Sequence, residues 1–222
     1  MRLLDFLFPP RCVGCKKIGS YICQNCRASI VFRDQLCPAC DKPAIDGMTH
    51  PKCLTAWGLE RVVSICKYQG VVEKAIKQLK YQFVSDTAQT LISLIPPSAY
   101  LLIPKTAVLY PIPLHKDRLK WRGFNQAQKL AQILAPKLKI KLISGLLIRT
   151  QKRTPQADVR SRQNRIKNAQ GLFTLSPAVS ISQYPNILLF DDVWTTGATM
   201  KEAAKVLKRV GVQKVYGLTI AR

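Results

Sequence analysis

The sequence predicts an α/β fold, a parallel sheet with flanking helices preceded by a small metal-binding N-terminal unit, and three observations carry that reading. Ile187, Leu188, Leu189 and Phe190 form an apolar run without alternation, which suits a strand buried on both faces of a parallel sheet. Behind it Met200, Ala203, Ala204, Leu207 and Val210 recur at helical spacing, and the apolar stretch 215–220 then closes a strand-helix-strand unit. At the front, three Cys-x-x-Cys pairs and one His-x-x-Cys pair fall within residues 12–53.

The chain has 222 residues, 47% of them hydrophobic, which is enough for one α/β domain and a small appendage. Its formal net charge of +23 predicts attraction to polyanions such as nucleic acid, anionic lipid or phosphorylated ligands. The alternative is a solubilising Lys-rich surface, against which stands the clustering of Lys and Arg around predicted loops. The first ten residues, MRLLDFLFPP, are broken by Asp5 and stopped by Pro9 and Pro10, so they do not read as an export signal. No later run is long enough to span a bilayer. The expectation is therefore a cytoplasmic chain, in which paired cysteines bind metal rather than oxidise.

Taken in order, Cys12 and Cys15, Cys23 and Cys26, Cys37 and Cys40, then His50 and Cys53 make four ligand pairs, enough for two tetrahedral zinc sites. Sequential grouping gives Cys12, Cys15, Cys23, Cys26 and Cys37, Cys40, His50, Cys53; interleaved grouping is the other option, and His50 could instead be a bystander. With every ligand position filled, such zinc is structural. The boundary of this ribbon-like unit falls near residue 58, leaving 59–222 as the α/β domain.

Residues 62–68 read as a strand holding Cys66 as a core thiol. A helix follows over about 71–80 with Val72, Ala75, Ile76 and Leu79 on one face. Another is capped by Ser85 or Asp86, buries Ala88, Leu91, Ile92 and Ile95, and ends at Pro96 and Pro97. Residues 107–114 form a strand ended by Pro111 and Pro113. The basic sequence HKDRLKWRG reads as a loop, carrying His115, Lys116, Arg118, Lys120 and Arg122, with Gly123 and Asn125 opening a helix that buries Ala127, Leu130, Ala131 and Leu134. A short strand at 146–148 precedes the basic stretch 149–167, whose few apolar residues predict mobility, and strand returns at 170–175.

The functional centre of the sequence is residues 186–199, NILLFDDVWTTGAT. Thr195, Thr196, Gly197, Ala198 and Thr199 would present N–H groups and hydroxyls at a helix N-terminus on the carboxyl edge of the sheet, a phosphate site. Thr199 and Glu202 are spaced as a capping box, with Gly211 as the helix stop. Asp191 and Asp192 cannot bind phosphate, but they can accept hydrogen bonds from sugar hydroxyls or hold a divalent cation. Together these groups suit a ribose 5-phosphate. No GxxxxGK[ST] sequence occurs, and the further acid and lysine of a receiver domain are missing.

LLFDDVWTTGAT resembles the phosphoribosyl pyrophosphate (PRPP) motif of type I phosphoribosyltransferases. With PIPLHKDRLKWRGFNQA upstream and the cysteine pairs at the front, the resemblance narrows to the ComF family of competence-associated proteins and covers nearly the whole chain. It implies a type I phosphoribosyltransferase-like sheet. Asp191 and Asp192 would anchor the ribose hydroxyls, the 195–199 loop the 5-phosphate, and Mg²⁺ the pyrophosphate. Arg122 and Gly123 would match the family's pyrophosphate loop, and Gln156, Arg160 and Asn168 a flexible loop that closes over the ligand.

Two functions follow from that resemblance. One is an enzyme displacing pyrophosphate from PRPP with an acceptor the sequence does not name. The other is a non-catalytic single-stranded DNA-binding factor retaining a PRPP scaffold, with Trp57, Trp121 and Trp194 as stacking platforms and the competence machinery as partners.

Overall fold

The structure is a computed structural model that describes residues 9–81, 85–150, 171–177, 181 and 183–222. Its centre is a four-stranded parallel sheet in the order β1 (Arg61–Cys66), β6 (Lys214–Ala221), β5 (Asn186–Val193), β2 (Val108–Pro111). Beyond β2 a parallel bridge between Leu109 and Leu142 extends the sheet by one short segment. The other two strands, β3 (Leu147–Arg149) and β4 (Phe173–Leu175), pair antiparallel as a separate ribbon.

The continuous apolar run of β5 has the two-sided burial expected of it. Leu188 and Phe190 pack with Val63, Ile65, Leu218 and Ile220 against the helices Gly70–Tyr81, Ser85–Ile92 and Gln126–Leu138. Ile187 and Leu189 face the other way, with Val62, Tyr110 and Val215, onto the helix Ala198–Arg209 and the β3–β4 ribbon. Successive strand residues point to opposite faces, so helices cover both sides of the sheet.

Four local expectations are corrected. The basic HKDRLKWRG sequence is not a loop. Lys116–Arg122 is a helix, with the His115 ring accepting from Asp117 N–H at 3.2 Å, Asp117 in its first turn, and Gly123 as its left-handed C-cap. Charge placement against the helix dipole supports it where apolar periodicity is lacking. The helix Ser85–Ile92 ends before the two prolines, and Pro97 instead opens a short helix, Pro97–Leu101, where its missing N–H is harmless. Strand β5 runs through both aspartates rather than stopping before them. The capping box does not form: Gly197 is the N-cap, Thr199 lies inside the first turn, and Glu202 Oε1 accepts from Gly171 N–H at 2.9 Å. At the far end the expected stop is present, because Val212 N–H reaches Leu207 O and Gly211 N–H reaches Lys208 O, a Schellman arrangement.

The N-terminal segment covers the open edge of β1. Arg33 N–H and Lys67 N–H make backbone bonds across to Ile65 O and Val31 O, both 2.9 Å, and Thr49 N–H bonds Glu60 O at 2.9 Å. The Gln35 amide imitates a strand between them, donating to Ser64 O at 2.9 Å and accepting from Ser64 N–H at 3.0 Å. A free sheet edge is thereby paired. Cys66 is fully buried beneath it, and burial pushes its thiol up to about 11, as befits a core residue. Among the described residues no helix is long and apolar enough to cross a membrane.

Candidate functional site

Two knuckles of the same shape build the metal centres. Cys12 O accepts from Lys16 N–H and Cys37 O accepts from Asp41 N–H, and Lys16 and Asp41 both take positive φ, at 68° and 60°, to close the turns. The ligand atoms of Cys12, Cys15, Cys23 and Cys26 all lie within 4.8 Å of one another, as do those of Cys37, Cys40, His50 and Cys53. The sequential grouping is the one the fold brings together.

The donor sets fit zinc. Sulfurs held tetrahedrally at a Zn–S distance of ~2.3 Å are separated by about 3.8 Å; the Cys15 and Cys23 sulfurs are 3.6 Å apart. His50 turns Nδ1 to within 3.4 Å of Cys40 Sγ, while its Nε2 lies 3.0 Å from Pro43 O. Donation from Nε2–H to that carbonyl leaves Nδ1 as the free ligand atom, the usual outer support of a metal-bound histidine. Burial opposes ionisation of Cys12, yet N–H groups of Cys23, Cys15 and Gly14 pull its thiol down to about 6, toward the thiolate a metal requires.

The second site opens at the carboxyl ends of β5 and β2, where an α/β sheet binds ligands. A cleft of about 180 Å³ is lined by Asp191, Asp192, Thr195, Gly197, Ala198, Thr199 and Arg122 among the residues expected from sequence. Two expected residues lie elsewhere. Thr196 faces a different cleft, shared with the second zinc knuckle, and Gly123 ends the helix before it at φ 78°. Arg160, Gln156 and Asn168 fall outside the described residues.

Gly197 is the hinge of the 195–199 loop. Its φ is 69°, and a Cβ there would sit 2.0 Å from Cζ2 of Trp194. Trp194 is 2% exposed, so it is part of the loop's floor and not a stacking platform. Its backbone N–H bonds Ala221 O at 2.8 Å, and the guanidinium of Arg222 lies 5.2 Å from its ring centre. Arg222 is in turn paired with Asp41 of the second zinc knuckle.

Arg118 and Arg149, from the two basic stretches the sequence pointed to, also line the cleft, whereas sequence reasoning missed Lys80, Gln126 and Thr219. Lys80 Nζ is 2.9 Å from Asp192 Oδ2, and Gln126 Nε2 donates to the same oxygen at 3.4 Å while its Oε1 accepts from Arg122. Lys80 had a legible signal, since it continues the Val72 and Ile76 stripe at four-residue spacing. Burial works against its charge, but Asp192 and Asp191 outweigh burial and raise its pKa. Asp191 is pushed up to about 7, first by burial and then by the neighbouring Asp192 charge. Among the described residues that line the cleft are four cations, Lys80, Arg118, Arg122 and Arg149, and two carboxylates, Asp191 and Asp192, so this lining favours an anion.

The comparisons with known proteins agree at both ends of the chain. Residues 3–54 match the Double zinc ribbon domain. Along most of its length the sequence is 32% identical to DNA utilization protein YhgH of Salmonella typhimurium, an alignment covering 90% of each chain. The chain belongs to the ComF family. Competence protein F of Haemophilus influenzae is 28% identical over 95% of this chain and 90% of its own. Competence protein ComFC of Bacillus subtilis is 26% identical over 90% of this chain and 84% of its own.

Proposed function

We propose that this ComF protein binds PRPP through the β5 cleft and serves DNA uptake, a role supported by relatives named for competence and for DNA utilization. The observation that carries the ligand assignment is the meeting of paired carboxylates, a glycine-hinged helix N-terminus and four cations in one cleft. The helix Ala198–Arg209 and its loop take the 5-phosphate, and Asp191 and Asp192 accept hydrogen bonds from the ribose hydroxyls. Arg118, Arg122 and Arg149 favour the anionic pyrophosphate. Asp191 and Asp192 also provide the oxygen donors Mg²⁺ prefers, and Mg²⁺ would neutralise pyrophosphate charge when bound.

In a transfer reaction the bond from ribose C1 to the pyrophosphate oxygen breaks, its electron pair leaves with pyrophosphate, and the acceptor's lone pair forms the new bond to C1. The cleft's cations would stabilise the departing charge. A screen of acceptors for PRPP-dependent pyrophosphate release tests this. The expected result is release that depends on one acceptor class and disappears in Asp191→Asn/Asp192→Asn; release without any acceptor would be hydrolysis and would count against transfer.

A second reading, single-stranded DNA binding, is favoured by one surface feature. Tyr81 and Trp121 meet edge to face at 5.9 Å, each 70% exposed, beside the cleft residues Lys80 and Arg122. Aromatic faces among cations suit unstacked bases. With a net charge of +23, log affinity for a single strand should fall linearly with log salt by about 0.7 per phosphate contacted. Trp121→Ala should weaken binding with little change in that slope. A slope near zero would contradict a charge-driven interface. DNA-handling proteins of the competence machinery are the partners that fit this role.

A further inference from the structure

Lys80 is a lysine in the wrong stripe. The helix Gly70–Tyr81 buries Val71, Val72, Ala75, Ile76 and Leu79, and its Lys77 pairs outward with Glu73 in the ordinary i,i+4 manner. Lys80 instead follows Val72 and Ile76 inward, its side chain only 26% exposed, and ends 2.9 Å from a carboxylate that is itself 5% exposed. Such a pair is a poor device for stability, because desolvating both charges offsets most of their attraction and an apolar residue would pack there as well.

Its position gives it a different use. The phosphate loop reaches the cleft from the helix on one face of the sheet, and Lys80 reaches it from the layer on the other face. An ammonium carries three donor protons. One goes to Asp192 Oδ2, and among the described residues the other two have no partner. When ribose hydroxyls bond to Asp191 and Asp192, the ammonium beside Asp192 is adjacent to the hydroxyl-bearing carbons and therefore to the substituent on C1.

Building on the ribose-phosphate reading above, we propose that Lys80 recognises the C1 substituent: its ammonium, held by Asp192, binds the pyrophosphate of PRPP and so distinguishes it from a ribose 5-phosphate with a plain C1 hydroxyl. Lys80 is thus a specificity-determining residue for the cleft, distinct from the loop that holds the 5-phosphate.

The test is calorimetric titration of wild type, Lys80→Met and Lys80→Arg with PRPP and with ribose 5-phosphate at one fixed free Mg²⁺ concentration. Methionine suits the apolar stripe, and thermal melting, with Lys80→Arg as the charge-keeping control, verifies that each variant is folded. Taking the ratio of the two affinities cancels any effect of the mutation on the hydroxyl clamp. Lys80→Met should weaken PRPP binding about tenfold while changing ribose 5-phosphate binding less than about twofold, and Lys80→Arg should recover most of the loss. Equal losses for both ligands would make Lys80 only a support for Asp192 and would overturn the proposal, as would no loss for either. If wild type binds neither ligand, the ribose-phosphate reading itself fails. If wild type binds both and Lys80→Met is indistinguishable from it, only the role of Lys80 fails.

Discussion

Gly197→Ala is expected to abolish phosphate binding and to lower stability by about 3 kcal/mol, the sum of a side chain forced into left-handed backbone and of overpacking. The added methyl carbon would stand 2.0 Å from the Trp194 ring at a backbone φ of 69°. The ring cannot retreat easily, because its own backbone is bonded to Ala221 and the cations of Arg222 and Lys201 lie over it. The loop must then move, and the N–H groups and hydroxyls proposed to hold the phosphate move with it. In a chain of this size the stability change corresponds to a drop in Tm of about 10 °C. Thermal melting together with ribose 5-phosphate titration measures both effects. A variant that melts and binds like wild type would mean that the loop is not held as described.

The other large effect concerns zinc. Elemental analysis should find about two zinc ions per chain, one for each ligand quartet. Cys12→Ser should remove one of them and destabilise the fold by several kcal/mol, since metal binding to a small ribbon is part of its folding energy. The cause is visible in the packing: Cys12 is fully buried, and Val13, Ile22 and Ile30 from the same ribbon join the main core beside Val71. Losing the first ion would therefore loosen the core under the helix Gly70–Tyr81. Zinc content near one in the wild-type protein would contradict the two-site arrangement. Full zinc in Cys12→Ser would remove Cys12 from the ligand set.

Some of this was legible in the sequence because the signals were local. The run 187–190 could only be a strand buried on both sides, and two-residue gaps between cysteines allow little besides metal knuckles. Other features depend on what the chain meets elsewhere. Glu202 has the spacing of a capping residue, but Gly171 N–H, brought close by the β3–β4 ribbon, takes its carboxylate instead. Lys116–Arg122 was missed as a helix because its charges conceal it, although Asp117 at its start and Gly123 at its end are helix signals. Trp194 looked like a stacking platform only as long as Gly197 was not known to rest on it. Lys80 could have been noticed as a charge in an apolar stripe, but its partner, Asp192, is more than a hundred residues away and only the fold joins them.

The central claim, that the β5 cleft is a ribose-phosphate site closed by the two aspartates, is tested most directly by calorimetry of Mg-PRPP binding to the wild-type chain and to Asp191→Asn/Asp192→Asn. Both variant side chains keep their shape while losing their charge and exchanging one acceptor oxygen for an NH2 donor. Wild type should bind saturably with one ligand per chain, and the double variant should bind at least about tenfold more weakly, the equivalent of one charged hydrogen bond. Equal affinity in the two proteins, with both folded, would place PRPP elsewhere and contradict the assignment.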